Sequence, residues 1–130
     1  MKIDRIGITR IVLIFNTFVI KLPKLKNGWN MFLRSLLCNI EEGKAWNNAK
    51  YNGCGREQLL CPVIYYSKSG LILIMKKADV NRHLIEMKGK DQYKLDYYKK
   101  FKDAHYGDDL KPHNFGYYED RLVKIDYGNV

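Results

Sequence analysis

Apolar residues dominate two neighbouring stretches near the start of the chain, ITRIVLIF (8–15) and FVIKL (18–22). Both are rich in β-branched and aromatic residues, and the polar pair Asn16-Thr17 separates them, which is typical of a β-hairpin. Because the apolar run is almost continuous, we expect both faces of these strands to be largely covered.

A helical pattern follows between Trp29 and about Lys50, where apolar residues recur every three to four positions. This spacing predicts one long helix or a bent pair of helices, with Gly43 as the weak point. We interpret Trp29 and Trp46 as residues that anchor this helix by packing against its neighbours.

A second hairpin is predicted from LLCPVIYY (59–66) and LILIMKK (71–77), which flank a short polar turn. The segment from Asp79 to about His105 is predicted to be helical, in one piece or in two pieces interrupted near Gly89. Its predicted buried side chains are Tyr93, Leu95, Tyr98 and Phe101.

Two short strands, FGYY (115–118) and LVKID (122–126), are predicted near the end of the chain. Strands therefore come in hairpins and do not alternate singly with helices, which indicates an antiparallel sheet and the α+β class. The length of 130 residues is that of one domain with a sizeable core.

The chain carries 23 Lys and Arg against 14 Asp and Glu, a net charge of +9. Such an excess favours polyanionic partners, namely nucleotides, nucleic acid or an acidic protein face, without choosing among them. The apolar stretch 11–20 is too short to span a bilayer and has no small-residue cleavage site after it. We therefore expect a soluble cytoplasmic protein with no membrane partner.

The three cysteines, Cys38, Cys54 and Cys61, show no metal-ligand spacing and are expected to be reduced thiols, with a Cys54–Cys61 bridge as the alternative. The histidines His83, His105 and His113 lack a mutual metal spacing too. We expect all three histidines at the surface.

Chemistry enters with the last 23 residues, where DLKPHN (109–114) is followed by IDYG (125–128). These motifs resemble the catalytic loop and the metal-binding motif of the protein-kinase-like superfamily, D-L-x-P-x-N and D-F-G or D-Y-G. The intervening residues have the length and apolar pattern of the hairpin between those motifs. Order and separation together make the resemblance more specific than either motif alone.

The resemblance extends upstream to FVIK, which ends at Lys21 and is similar to the strand that carries the phosphate-binding lysine. The next helix offers Glu41 and Glu42 as the glutamate that pairs with this lysine, and we prefer Glu42. The second hairpin is similar to the strands that lead to the nucleotide-binding hinge, which would lie near 75–78.

Carried over position by position, the resemblance implies a site for ATP and Mg²⁺. Asp109 would orient or deprotonate the acceptor hydroxyl, and Lys111 would place a second cation near the transferred phosphate. Asn114 and Asp126 would hold Mg²⁺. The remaining implied roles are phosphate binding by Lys21 with Glu42, and recognition of the adenine edge by main-chain groups of Met75, Lys76 and Lys77.

The pattern departs from the family in three ways. Gly7 is the only glycine before the first hairpin, so a glycine-rich phosphate loop is almost absent. Gly107 stands where the family has a histidine, and the resemblance ends at Gly128, which leaves no match to an activation segment or a large helical lobe. We thus expect a single kinase-like domain over 1–130, with an N-lobe-like part (about 1–78) and a much reduced C-lobe (about 79–130) of one or two helices and the catalytic-loop hairpin.

The first functional hypothesis is an ATP- and Mg²⁺-dependent phosphotransferase that acts on a hydroxyl of a protein or a small molecule. The second is an inactive, pseudokinase-like scaffold that binds and inhibits another macromolecule, as a protein of a bacterial virus (phage) acting on a host factor would. Nucleic-acid binding through the basic, Tyr-rich segment 88–106 is a third alternative, not favoured because no nucleic-acid module accompanies it. Under the first hypothesis, substrate capture would come from the basic surface or from homo-oligomerisation, because the usual docking lobe has no match, and the protein partner or substrate is unknown.

Overall fold

The structure, a computed structural model, describes residues 2–4, 10–25, 28–52, 55–88, 98–104, 106 and 111–128. It combines an antiparallel sheet with a long helix, which confirms the α+β class. The strands and helices in chain order are β1 (Lys2–Asp4), β2 (Arg10–Ile14), β3 (Phe18–Pro23), α1 (Trp29–Tyr51), β4 (Val63–Tyr66), β5 (Leu73–Lys76), α2 (Val80–Met87), α3 (Lys99–Asp103), β6 (Phe115–Tyr118) and β7 (Arg121–Lys124).

The main sheet has the strand order β1-β2-β3-β5-β4, and each neighbouring pair is antiparallel. The first predicted hairpin is confirmed, whereas β1 was not predicted. Every residue of β2 and β3 is buried or only partly exposed, which agrees with the expectation that both faces of the hairpin are largely covered. The one fully buried residue in each of these strands is charged: Arg10 in β2 and Lys21 in β3.

Helix α1 runs without a break from Trp29 to Tyr51, so Gly43 is not a point of interruption. Gly43 instead permits close packing, since a Cβ atom built there would lie 2.3 Å from the ring of Tyr66 in β4. Trp46 packs against the core as predicted. Trp29 does not, because 67% of its surface is exposed.

The second hairpin, β4 with β5, is shorter than predicted. Leu60 forms an isolated parallel bridge with Lys124 of β7 and does not extend β4, and a short 3-10 helix, Arg56–Leu59, precedes it. The predicted helical region after Asp79 contains α2 and α3. Gly89, Tyr93 and Leu95 lie outside the described residues.

Two buried clusters form the core. The larger cluster joins the main sheet and α1 to the end of the chain and comprises Ala49, Leu60, Cys61, Leu73, Met75, Ala78, Val123 and Tyr127. The smaller cluster lies between the short helices and the β6–β7 hairpin and comprises Met87, Tyr98, Phe101, Phe115 and Leu122. The β6–β7 hairpin therefore contributes residues to both clusters, which fixes its position relative to the main sheet.

The prediction that His83 lies at the surface is wrong, because the structure buries this residue completely. Its Nε2 lies 2.8 Å from the hydroxyl of Tyr98, and its ring lies among those of Tyr98, Phe115 and Tyr117. Burial lowers the pKa of His83, outweighing the opposing effect of Glu86.

Cys38 and Cys61 are buried free thiols, which speaks against the Cys54–Cys61 alternative; Cys54 lies outside the described residues. Burial raises the pKa of Cys61 to about 12 and so disfavours its reactive thiolate. Among the helices of the described ranges, none combines the length and the apolarity that crossing a bilayer requires.

Candidate functional site

Lys21 lies in the middle of β3 and points to the face of the sheet that α1 covers. Only 5% of its surface is exposed, and a buried ammonium group must be paired to be tolerated. Its Nζ forms an ion pair with Glu42 and also donates a hydrogen bond to the carbonyl oxygen of Ile125, at 2.6 Å. Lys21 thus connects β3, α1 and the residue that precedes Asp126.

Glu42 is fully buried on the inner face of α1, whereas its neighbour Glu41 is exposed. The structure therefore pairs Lys21 with Glu42 and not with Glu41. The two oxygens of Glu42 face different cations: Oε1 faces Lys21, and Oε2 lies 2.6 Å from Nη1 of Arg10. Asn39, one turn earlier on the same helical face, lies beside this arrangement.

Arg10 is the site residue that sequence reasoning missed. Its Nη1 donates to Oδ1 of Asn39 at 3.0 Å, and its Nη2 donates to Oδ1 of Asp126 at 2.9 Å. Burial opposes the charged guanidinium, but the carboxylates of Glu42 and Asp126 outweigh it and raise the pKa of Arg10 above its usual value.

Strand register would have pointed to Arg10. In the β2–β3 ladder Val12 lies opposite Lys21, and Arg10 lies opposite Pro23. Since alternate residues of a strand share a face, Arg10 and Lys21 project on the same side as diagonal neighbours. A second cation beside the lysine could therefore have been inferred once the hairpin register was assumed.

Arg10, Lys21, Glu42 and Asp126 form a charged cluster. Asp126 is its exposed member, with 47% of its side chain accessible to solvent. One of its oxygens accepts from Arg10, and its position depends on the preceding residue, Ile125. The carbonyl of Ile125 accepts from Lys21, while its N–H donates to the carbonyl of Asn114 at 2.8 Å. These bonds bring the predicted residues Lys21, Asn114 and Asp126 into one region.

Asn114 ends the short 3-10 helix Pro112–Asn114 and is 4% exposed. Its N–H donates to the carbonyl of Lys111 at 2.9 Å, and the side chain of Lys111 is exposed. Asp109, the predicted group for the acceptor hydroxyl, lies outside the described residues.

Tyr127 and Gly128 hold this segment against the protein. The buried hydroxyl of Tyr127 donates to the carbonyl of Cys61 at 2.8 Å, and burial, aided by the charge of Glu42, raises the pKa of this phenol well above its usual value. A Cβ atom at Gly128 would lie 2.3 Å from the carbonyl oxygen of Cys38 in α1. Glycine is therefore required for this close approach.

The predicted adenine-binding residues lie at the end of β5. Met75 is buried in the larger core cluster on the same face as Lys21, while Lys76 and Lys77 are exposed. The N–H of Lys76 donates to the carbonyl of Pro62 at 2.9 Å, and that of Lys77 donates to the carbonyl of Thr17 at 3.1 Å. Both of these main-chain donors are thus used within the protein.

The chemistry of Asp126 and Asn114 fits a Mg²⁺ ion in part. A half-exposed carboxylate and a nearby amide residue match the oxygen ligands that Mg²⁺ prefers, and such sites commonly add phosphate oxygens of the substrate. Among the described residues, no group of three or more His, Cys, Asp and Glu could hold a metal by itself. A Mg²⁺ ion here would therefore complete its coordination with water or with the phosphates of a bound nucleotide.

An open hollow of about 380 Å³ lies elsewhere on the described surface. Its lining residues are Gly55, Arg56, Leu59, Lys100, Asp103 and Ala104. No residue of the charged cluster lines this hollow, so the hollow is not the candidate site.

Comparison with known proteins does not assign this chain to a family. The chain matches none of the models of protein families, and no curated protein is significantly similar to it.

Proposed function

We propose that this protein is a reduced protein-kinase-like phosphotransferase that binds ATP with Mg²⁺ and transfers the terminal phosphate to a hydroxyl. The observation that carries the proposal is the convergence of Lys21, Glu42 and the segment at Asp126. Lys21 pairs with Glu42, 21 positions away, and bonds to Ile125, 104 positions away. A lysine–glutamate ion pair beside a metal-binding aspartate is the arrangement that phosphate transfer requires in this superfamily.

The order of elements supports the same proposal. A hairpin that carries Lys21, a helix that carries Glu42, a second hairpin, short helices and a small hairpin before Asp126 follow each other in one chain. This is the order that the resemblance implies.

In the proposed reaction the protein supplies position and charge, since phosphoryl transfer needs little covalent help. Lys21 neutralises phosphate oxygens, and Glu42 holds its ammonium group in place. Asp126 and Asn114 supply oxygen ligands for Mg²⁺, which would neutralise the phosphates when bound, and Asp109 orients the acceptor hydroxyl. Because Asp126 is the exposed member, the nucleotide approaches from its side.

Transfer of label from γ-labelled ATP tests this function. We expect label to appear on the protein itself, on casein as a generic acceptor, or as free phosphate, and to be lost in both Asp109→Ala and Asp126→Asn. Asp120→Asn is the matched control, because Asp120 is an exposed aspartate in the turn between β6 and β7. Equal transfer by all three variants would contradict the assignment.

A second candidate is a kinase-like scaffold without catalysis, and two observations favour it. Arg10 already occupies an oxygen of Asp126, and the N–H groups of Lys76 and Lys77 are already used. This candidate predicts that millimolar ATP leaves the thermal stability of the folded protein unchanged. Strong salt-dependent binding of an unrelated oligonucleotide would instead support nucleic-acid binding.

A further inference from the structure

Arg10 lies between the two carboxylates of the charged cluster, those of Glu42 and Asp126. Its Nη1 is 2.6 Å from Oε2 of Glu42, and its Nη2 is 2.9 Å from Oδ1 of Asp126. With Lys21 on the other oxygen of Glu42, two cations balance two carboxylates. The cluster is therefore neutral without any added ion.

A divalent cation at Asp126 would disturb this balance. Mg²⁺ binds carboxylate oxygens directly, at about 2.0–2.1 Å, and demands a well-ordered set of ligands. The guanidinium of Arg10 already takes Oδ1, and its charge lies within a few ångströms of any ion bound to the same carboxylate. Like charges at that separation repel, and water screens the repulsion less because Arg10 is only 5% exposed.

We infer that Arg10 competes with the divalent cation for Asp126, so that the metal binds fully only when Arg10 leaves Oδ1. The inference depends on the metal-binding role of Asp126 in the proposed function. Arg10 determines how tightly the site takes a metal, and it does so without contacting the metal.

Arg10 would still have partners for its guanidinium group after leaving Asp126. Oδ1 of Asn39 accepts from Nη1 of Arg10, and Glu42 remains within reach. The amide nitrogen of Asn39 is itself anchored, because it donates to the carbonyls of Lys21 at 3.1 Å and Gly70 at 2.9 Å. Arg10 would thus keep partners for its charge on α1 while Asp126 turns to the metal.

Binding of Mn²⁺ in the absence of nucleotide tests the competition, with free Mn²⁺ followed by electron paramagnetic resonance. We expect Arg10→Gln to bind Mn²⁺ more tightly than the wild-type protein by roughly tenfold, a factor within the range of typical coupling energies in proteins. Arg10→Gln combined with Asp126→Asn should lose this binding. Arg82→Gln is the matched control, since Arg82 pairs with Asp120 at the surface, and it should bind as the wild type does.

Two failures can be told apart. If the wild-type protein and Arg10→Gln bind Mn²⁺ equally and Asp126→Asn abolishes binding in both, the competition is overturned while Asp126 remains a metal ligand. If Arg10→Gln binds no Mn²⁺ at all, the competition and the metal role of Asp126 are both overturned.

A measurement on the wild-type protein covers the case in which Arg10→Gln does not fold. The side-chain N–H signals of Arg10 in nuclear magnetic resonance spectra should shift as Mg²⁺ is added, and their exchange with water should become faster. Signals that stay unchanged up to the highest Mg²⁺ concentration that keeps the protein in solution would overturn the competition.

Discussion

Glu42 illustrates at the residue scale what a buried charge requires. It is completely buried, and each of its oxygens faces a cation, Lys21 on one side and Arg10 on the other. A buried ion pair adds little stability compared with apolar residues of the same size, but removal of one partner leaves the other charge without compensation. Glu42 is therefore the residue on which the two buried cations depend.

We predict that Glu42→Gln lowers the free energy of unfolding by about 3–5 kcal/mol, because it leaves only the carboxylate of Asp126 to balance the two buried cations, Lys21 and Arg10. Urea denaturation measures the change. Glu41→Gln is the matched control on the exposed side of the helix and should stay within about 0.5 kcal/mol of the wild type. An equal effect of both substitutions would mean that the ion pairs of the charged cluster do not account for the loss of stability.

His83 leads to a prediction about pH. Since burial lowers its pKa in the folded protein, the unfolded chain binds a proton in a pH range where the folded protein does not. The contribution of His83 to stability is therefore complete above its unfolded pKa of about 6.5 and is lost as the pH falls below it.

The wild-type protein should accordingly lose more stability between pH 7.5 and pH 5.5 than His83→Gln does, as measured by urea denaturation at both pH values. His113→Gln is the control, because His113 is exposed, and it should lose as much as the wild type. Identical losses in all three proteins would show that His83 does not titrate on unfolding.

Single site residues were predicted from the sequence only where a motif marks them. Lys21 and Asp126 stand in recognisable motifs, whereas Arg10 is paired with a residue 116 positions away and has no motif of its own. His83 was missed because its burial comes from helix α2 packing on the β6–β7 hairpin, a contact between distant parts of the chain. The spacing of His83 and Met87, one turn apart and both buried, was the available signal.

At the scale of elements, α1 and β4 approach each other unusually closely at Gly43. A Cβ atom there would lie 2.3 Å from the ring of Tyr66, so the two elements would have to move apart or the ring would have to turn. Intrinsic propensity points the other way, since alanine is better than glycine in a helix by about 1 kcal/mol.

We predict that packing outweighs propensity and that Gly43→Ala destabilises the protein, with an overpacking cost of about 1–3 kcal/mol before the gain in propensity is subtracted. The melting temperature and urea denaturation both report this. Lys44→Ala, at the next and exposed position of α1, should leave stability almost unchanged. A more stable Gly43→Ala protein would show that α1 can shift away from β4 at little cost.

Element types were predictable from periodicity, and element ends were not. The β2–β3 hairpin and α1 follow the apolar pattern closely, whereas β4 begins later than the pattern suggests. Leu60 and Cys61 bond to Lys124 of β7, the latter through an N–H···O bond of 3.0 Å. Their pairing is thus determined by a distant hairpin, which no local pattern reveals.

At the scale of the whole molecule, one buried cluster joins the sheet and helix of the first part to the end of the described chain. Val123 and Tyr127 pack with Leu73 and Met75, and Lys21 bonds to Ile125. The last segment thus completes the site as well as the core. This is why the candidate site could be inferred from motifs, while its neutral balance, with Arg10 on Asp126, required the structure.

Calorimetric titration of ATP, with and without Mg²⁺, tests the central claim that Lys21, Glu42 and Asp126 form a phosphate and metal site. We predict saturable binding that strengthens with Mg²⁺ and is lost in both Lys21→Met and Asp126→Asn, while Lys102→Met, at an exposed lysine of α3, binds as the wild type does. No binding by the folded wild-type protein at millimolar ATP, or equal binding by all the variants, would contradict it.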